Sequence, residues 1–247
     1  MFRYERKYLV PNYLLESLRN RFAGFVRPDI VASHNGNGIP QYTVRSIYFD
    51  SHDLMFYHEK HSGLLKRRKL RVRGYNQNTA DDKVVLEIKR KHGNRVSKNR
   101  ALVAWDNLHT LMQTAQIDKY IEAGFGYSKP EAMNNAKRFF FNYKIKPMLP
   151  TTLVSYEREA YHGKLNSGTR ITFDKNIRSR NYPALHELYE EKDMRFLFKS
   201  HFILEIKYFE DTMPSWAKSI VHEFKLRNEA LSKYVIGFDV NKSYIHH

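Results

Sequence analysis

The sequence contains no cysteine, which excludes disulfide frameworks, thiolate zinc sites and cysteine nucleophiles at once. Glycine and proline number only 11 and 8 among 247 residues, too few for a fibrous repeat or a low-complexity chain. No stretch approaches the roughly 18 apolar residues that a membrane-spanning helix needs, so no membrane insertion is expected. The opening Met1-Phe2-Arg3-Tyr4-Glu5-Arg6-Lys7 is charged from the start and unlike a signal peptide. These absences set the expectation of a soluble, cytoplasmic protein. Acidic residues are scarce as well: 26 Asp and Glu stand against 42 Lys and Arg, a formal net charge of +16. Either that excess faces water, or it faces nucleic acid, an anionic membrane or a phosphate-rich small molecule.

Hydrophobic residues make up 42% of the chain, with 17 Tyr and 16 Phe, enough for a sizeable core. The length suits a single domain over residues 1–247, and no internal repeat of roughly 20 to 50 residues is present. Runs rich in Val, Ile, Tyr, Phe and Thr predict strands at Tyr4–Val10, Gln41–Asp50, Lys69–Gly74 and Lys83–Lys91. Further strands are predicted at Leu149–Tyr161, Thr169–Asp174, Phe202–Tyr208 and Gly237–Tyr244. Helical spacing of apolar residues marks Pro11–Phe25, Asn107–Ala123 and Lys129–Tyr143, with Asp106 as a cap and Pro130 in a first turn. A last helix is expected from a Ser215 cap through Leu231. Polar connections fall at Asn35–Gly38 and Asn76–Asp82. Strands outnumber helices, which predicts an α+β protein built on one large antiparallel sheet with peripheral helices.

The informative feature is what alternates with the apolar residues. Glu5 and Lys7 share a strand face with Arg3, and Arg71 shares one with Arg73. Glu87 and Lys89, Tyr156 and Arg158, Arg170 and Asp174, and Glu205 and Lys207 repeat the pattern. A charged strand face ordinarily meets solvent. Here the same mixture, several cations with an occasional carboxylate, recurs on at least six strands, and arginine is prominent in it. A guanidinium presents a planar fork of donors matched to phosphate oxygens. If the sheet closes into a barrel, these faces share one interior, where like charges repel unless a polyanion neutralises them. The few carboxylates would then hold a divalent cation.

The residues that carry a resemblance run along most of the chain: Glu5-Arg6-Lys7-Tyr8, Ile47–Ser51 (IYFDS), Lys69–Arg73 (KLRVR) and Glu87–Lys89 (EIK). Tyr156–Arg158 (YER), Arg170–Asp174 (RITFD), Leu204–Lys207 (LEIK) and Ser232–Tyr234 (SKY) continue the series in order. This set resembles the catalytic domain of vacuolar transporter chaperone (VTC) polyphosphate polymerases, within the triphosphate tunnel metalloenzyme (CYTH-like) superfamily. The resemblance implies a closed antiparallel β-barrel enclosing a basic triphosphate tunnel. It implies that Lys7, Arg71, Arg73, Lys89, Arg158, Arg170, Lys207 and Lys233 contact phosphates. Glu205 would be the principal metal ligand and Glu87 a second, holding manganese (Mn2+) or magnesium (Mg2+). The superfamily pattern Glu-x-Glu-x-Lys reads Arg3-x-Glu5-x-Lys7 here, with a cation in the first place. That departure leans toward the polymerase branch and away from the triphosphatases.

The implied activity is transfer of the γ-phosphoryl group of ATP to a growing inorganic polyphosphate chain, by a stand-alone catalytic module. Any coupling to a membrane would need a separate partner. Hydrolysis of a nucleoside triphosphate or tripolyphosphate uses the same geometry with water as acceptor. A non-catalytic polyphosphate- or nucleic-acid-binding module is the alternative of another class, since basic and aromatic residues interleave. The recurring Glu-x-Lys pairs disfavour nucleic acid, because their carboxylates repel a phosphate backbone unless a metal intervenes. His58 and His61 read as loop or surface histidines, and Lys66–Lys69 as a basic patch beside a phosphate-binding strand. His246 and His247 are assigned no role. No glycine-rich phosphate loop and no Gly-x-Ser-x-Gly elbow is present.

Overall fold

The computed structural model of the protein describes residues 3–29, 34–35, 38–76, 82–165, 168–209 and 212–242. His246 and His247 lie outside these residues, as do most of the connection expected at 76–82 and part of the one at 35–38. Eight long strands organise the chain: β1 (Arg3–Pro11), β2 (Ile39–Ser51), β3 (Lys66–Tyr75), β4 (Lys83–His92), β5 (Arg95–Ala104), β6 (Met148–Gly163), β7 (Arg170–Asn181) and β8 (His201–Tyr208). Their neighbours run β7-β8-β1-β5-β4-β3-β2-β6, and β6 pairs again with β7, so the sheet closes into a ring. Every pairing in it is antiparallel. The expected closed antiparallel α+β architecture is therefore present.

The ring has one thin seam. β1 pairs with β8 along Tyr4–Pro11, placing Lys7 opposite Glu205. On its other edge β1 meets β5 only at Arg3 with Val96 and Tyr4 with Arg95. Beyond that point a segment from late in the chain takes over: Tyr8 bridges Asn228, and the Glu229 N–H donates to the Lys7 carbonyl at 2.8 Å.

Strand alternation sends one set of side chains inward and the other outward. The outward set is the apolar one, so the hydrophobic core lies between the ring and its helices. Leu70, Val72, Leu86, Ile88 and Val103 pack against Leu108 and Leu111 of α3 (Trp105–Thr114) and Phe139 and Phe140 of α4 (Lys129–Lys144). On the other flank Val10, Phe173 and Leu204 lie beneath Leu18 and Phe22 of α1 (Leu15–Ala23) and Ile220 of α5 (Ser215–Glu223). Each such fully buried side chain contributes about 1.5–3 kcal/mol. With the apolar groups satisfied outside, the interior is left to polar ones.

Several local expectations are met, and others are corrected. α4 starts where Pro130 indicated, with a capping box formed by Ser128 and Glu131. Phe139 and Phe140 pack inward, whereas Phe141 is exposed. Asp106 lies within the first turn of α3 rather than capping it, and Ser215 is the first helical residue after Pro214. The helix expected to continue to Ala123 stops at Thr114, where Ala115 takes a left-handed conformation. The predicted strand from Gly237 is instead part of helix α6 (Lys233–Lys242). Tyr234, Val235 and Phe238 form a helical face, and Gly237 lies so close to β7 that an added Cβ would meet Ser179 at 3.0 Å.

Two longer elements were not anticipated. β5 is polar enough to read as a loop, because only Ala101 and Val103 turn to the core beyond Val96. Helix α2 (Met55–His61) is anchored by Asp50, whose carboxylate accepts the N–H groups of Phe56 and Tyr57 at 2.9 Å and the hydroxyl of Tyr234 at 2.5 Å. That carboxylate ties α2 and α6 to the same end of the ring, which gives the aspartate of IYFDS a structural purpose.

Candidate functional site

The inward faces enclose a cavity of about 230 Å³. β1 contributes Glu5 and Lys7; β3 contributes Arg67, Lys69, Arg71 and Arg73. Lys89 and Lys91 come from β4, Lys98 from β5, Tyr156 and Arg158 from β6, and Glu205 and Lys207 from β8. Tyr48 of β2, Lys60 of α2, Asn94, Val96, and residues 228–232 with Lys233 complete the wall. Residue parity explains the set, since the charged members of each strand stand two apart and so share its inner face. Twelve Lys and Arg line this space against three Glu. A cavity so unbalanced favours an anion of high charge.

Two carboxylates lie at its centre. Glu5 accepts from Lys89 Nζ at 2.9 and 3.1 Å, and Lys7 Nζ stands 3.3 Å from Glu5 and 3.6 Å from Glu205. Glu205 also takes a hydrogen bond from Lys207 and one of 3.4 Å from Arg158. The two carboxylates thus share Lys7 as a common neighbour. Burial and the charge of Glu205 push the Glu5 carboxyl up, but Lys89 and Lys7 outweigh them and hold it down at about 2. For Glu205, burial is likewise overcome, chiefly by Lys207, and its carboxyl stays well below the usual range. Lys207 is driven down to about 7, with burial the main cause and Arg158 adding to it against the pull of Glu205.

A diagonal pair of ionised carboxylates on neighbouring strands suits a divalent cation. Magnesium and manganese are hard ions; magnesium typically binds one or two carboxylates and fills its remaining positions with water and substrate phosphate oxygens. Glu5 and Glu205 fit that donor set, and no larger cluster of His, Asp and Glu exists among the described residues. Glu87 stands elsewhere. Its carboxylate is bonded by Arg71 and, at 3.2 Å, by Arg100, and it does not line the cavity.

The remaining expected residues divide similarly. Lys7, Arg71, Arg73, Lys89, Arg158, Lys207 and Lys233 all line the cavity. Arg170 shares the inner face of β7 but is drawn away, donating to Asp29 at 2.6 Å and to the Tyr42 hydroxyl at 3.0 Å. Sequence reasoning left Asp174 without a role, although it is fully buried and accepts from Arg158 at 2.6 and 2.7 Å and from Lys233 at 2.6 Å. It also missed Lys60, Lys69, Lys91 and Lys98. The parity of Arg67-x-Lys69-x-Arg71 and Lys89-x-Lys91 could have found Lys69 and Lys91. Tyr48 orients Arg71 by accepting from its guanidinium at 2.9 Å.

A closed antiparallel ring thus encloses a cation-lined interior with two carboxylates beside a shared lysine, a charge pattern suited to a polyanion. Residues 2–241 match the model of the VTC domain, and the chain belongs to that family. No curated protein matches it. Among solved structures it is similar to HpAC1 from Hippeastrum, for which a dominant triphosphatase activity is described, at 13% identity over 99% of each chain with a TM-score of 0.46. It is also similar to the PH1819 protein of Pyrococcus horikoshii OT3, at 13% identity over 97% of this chain and 99% of that one, TM-score 0.47.

Proposed function

We propose that the protein is a divalent-metal-dependent phosphotransferase that moves the γ-phosphoryl group of ATP onto an inorganic polyphosphate chain held inside the ring. The observation that carries this reading is the twelve-to-three excess of cations over carboxylates in one enclosed cavity. Phosphoryl transfer needs in-line positioning and charge stabilisation more than covalent chemistry, and this interior is built for both. Arg73 would clamp phosphate oxygens with its terminal nitrogens, Arg71 and Arg158 would offer the N–H groups that Glu87 and Asp174 do not already take, and Lys7, Lys89, Lys207 and Lys233 would neutralise the rest. Glu5 and Glu205 would hold the divalent ion, which would supply charge neutralisation for the phosphates.

The residues also manage what happens before substrate arrives. Asp174 holds Arg158 and Lys233 in place, and Glu87 does the same for Arg71. The cationic wall is thus pre-organised rather than collapsed outward by its own repulsion. Tyr48 and Tyr156 supply rigid walls beneath the guanidinium groups of Arg71 and Arg158, 5.6 and 5.1 Å from their ring centres.

Incubation of the purified protein with ATP and manganese or magnesium, reading polymer and free phosphate together, tests the reading. Long polyphosphate that disappears in Glu205→Gln and Arg71→Ala variants is expected. Free phosphate without polymer would make water the acceptor and the protein a triphosphatase. Absence of both products would reduce the site to a polyanion receptor.

A further inference from the structure

The segment leading into α6 brings a serine and an amine together inside the cavity. Lys69 Nζ of β3 is hydrogen-bonded to Ser232 Oγ, and the same oxygen accepts the Val235 N–H at 3.3 Å. Both side chains line the cavity, and Ser232 is otherwise buried. The charges that act most strongly on Lys69 all belong to cations: Lys7, Lys89, Arg71 and Lys60. Burial first, and then these neighbours, hold its amine well below the usual lysine range, which favours its neutral form beside the hydroxyl. Helix capping accounts for the bond from Val235; it does not require an amine on the other side of the oxygen.

We propose that Ser232 is a phosphoryl acceptor, its Oγ attacking the terminal phosphorus of a nucleoside triphosphate in the cavity while Lys69 takes the hydroxyl proton. The new bond joins Oγ to the γ-phosphorus. The bond that breaks joins that phosphorus to the β–γ bridging oxygen, which leaves with the electron pair as the nucleoside diphosphate. The proton ends on Lys69 Nζ as an ammonium beside the product. This is the division of labour of a serine nucleophile with a lysine base.

The product is stabilised where it forms. A phosphoserine at this position sits at the N-terminus of the ten-residue helix α6, where the backbone dipole favours negative charge. Lys233 follows it directly, and Lys7 reaches the adjoining Leu231 carbonyl at 3.0 Å. A phosphorylated Ser232 would occupy one of the cavity's phosphate positions and so weaken polyphosphate binding, a brake set by the nucleotide itself. The inference rests on the reading that this cavity binds nucleoside triphosphates.

The test is acid-quenched incubation of the full chain with ATP and manganese, followed by intact-mass measurement and fragment mapping. Polymer and free phosphate are read in the same samples, and tripolyphosphate binding is measured by calorimetry. One phosphoryl group on Ser232 is expected. It should be absent in Ser232→Asn, which keeps a helix cap without the nucleophile, and formed roughly 100-fold more slowly in Lys69→Met, the scale of a general base. Thermal melting confirms that both variants are folded. No adduct, an adduct on another residue, or undiminished labelling of Lys69→Met overturns the proposal. If turnover or tripolyphosphate binding persists without an adduct, this inference alone falls; if both are missing as well, the nucleotide-binding reading falls with it.

Discussion

Arg158 and Asp174 face each other directly across β6 and β7 and are joined by two parallel hydrogen bonds of 2.6 and 2.7 Å. Both are buried, and Lys233 of α6 donates to the same carboxylate. Asp174 is therefore the internal counter-ion of a cavity otherwise short of negative charge. Its carboxyl is held well below the usual range: burial opposes this, but Arg158 and then Lys233 prevail.

Removing that counter-ion should expose what it holds. Asp174→Ala leaves a buried guanidinium and a buried ammonium uncompensated, at a cost of about 3–5 kcal/mol. Urea unfolding should show the midpoint fall without a change in slope. Saturating tripolyphosphate should recover part of the loss, because the ligand supplies the missing charge. An unchanged midpoint would show that Arg158 and Lys233 reach solvent in the free protein.

Ligand binding itself should be visible as stability. A polyanion that binds the folded cavity and not the unfolded chain stabilises by about 2.7 kcal/mol at 100 times its Kd. For a chain of this size that raises Tm by roughly 5–10 °C. Differential scanning fluorimetry with tripolyphosphate checks it. The shift should shrink steeply with added salt and should be smaller in Arg71→Ala and Arg73→Ala. A similar shift with inorganic sulfate would indicate general anion screening instead.

The inward residues of β3, β6 and β8 were legible because strand parity is a backbone property: Arg71 and Arg73, or Glu205 and Lys207, must share a face whatever the ring does. Parity could not say where along the ring each residue falls. Arg170 and Asp174 stand on one face of β7, yet Asp174 serves the cavity while Arg170 turns to Asp29. The partnership of Glu5 with Glu205 depends on β1 lying beside β8, a pairing between opposite ends of the chain that local pattern does not encode. The helix at Lys233–Lys242 was misread because a short apolar run suits either period; contact with β7 at Ser179 decides it.

Outside the ring, one carboxylate predicts a pH dependence. Glu159 points away from the cavity and joins α1 to the sheet, accepting from Arg19 at 2.8 and 3.1 Å and also from Lys175. Burial pushes its carboxyl up, but the Arg19 and Lys175 bonds win and the net shift is downward from 4.5. A depressed carboxyl contributes stability in full above its unfolded value, and that contribution is lost as pH falls through the folded one. The stability gap between the protein and Glu159→Gln should therefore be flat from pH 6 to 8, on the order of the plateau that linkage defines, and narrow below about 4.5. Urea midpoints measured across that range test it; a gap that widens in acid would reverse the sign.

Glu205, Glu5 and Glu87 offer the sharpest contrast for the metal. Glu5 and Glu205 share Lys7 in the cavity, whereas Glu87 is occupied by Arg71 and Arg100. Glu205→Gln and Glu5→Gln should each lower metal-dependent turnover by about 100-fold, the scale for removing one electrostatic stabiliser. Each should also raise the metal concentration needed for half-maximal rate. Glu87→Gln should act differently. It frees a buried guanidinium, so it should lower the urea midpoint and reduce turnover through Arg71, while the metal concentration for half-maximal rate stays where it was. Titrating manganese against rate in the three variants separates the roles. A shifted metal response in Glu87→Gln, with none in Glu5→Gln, would move the cation to the other side of Arg71.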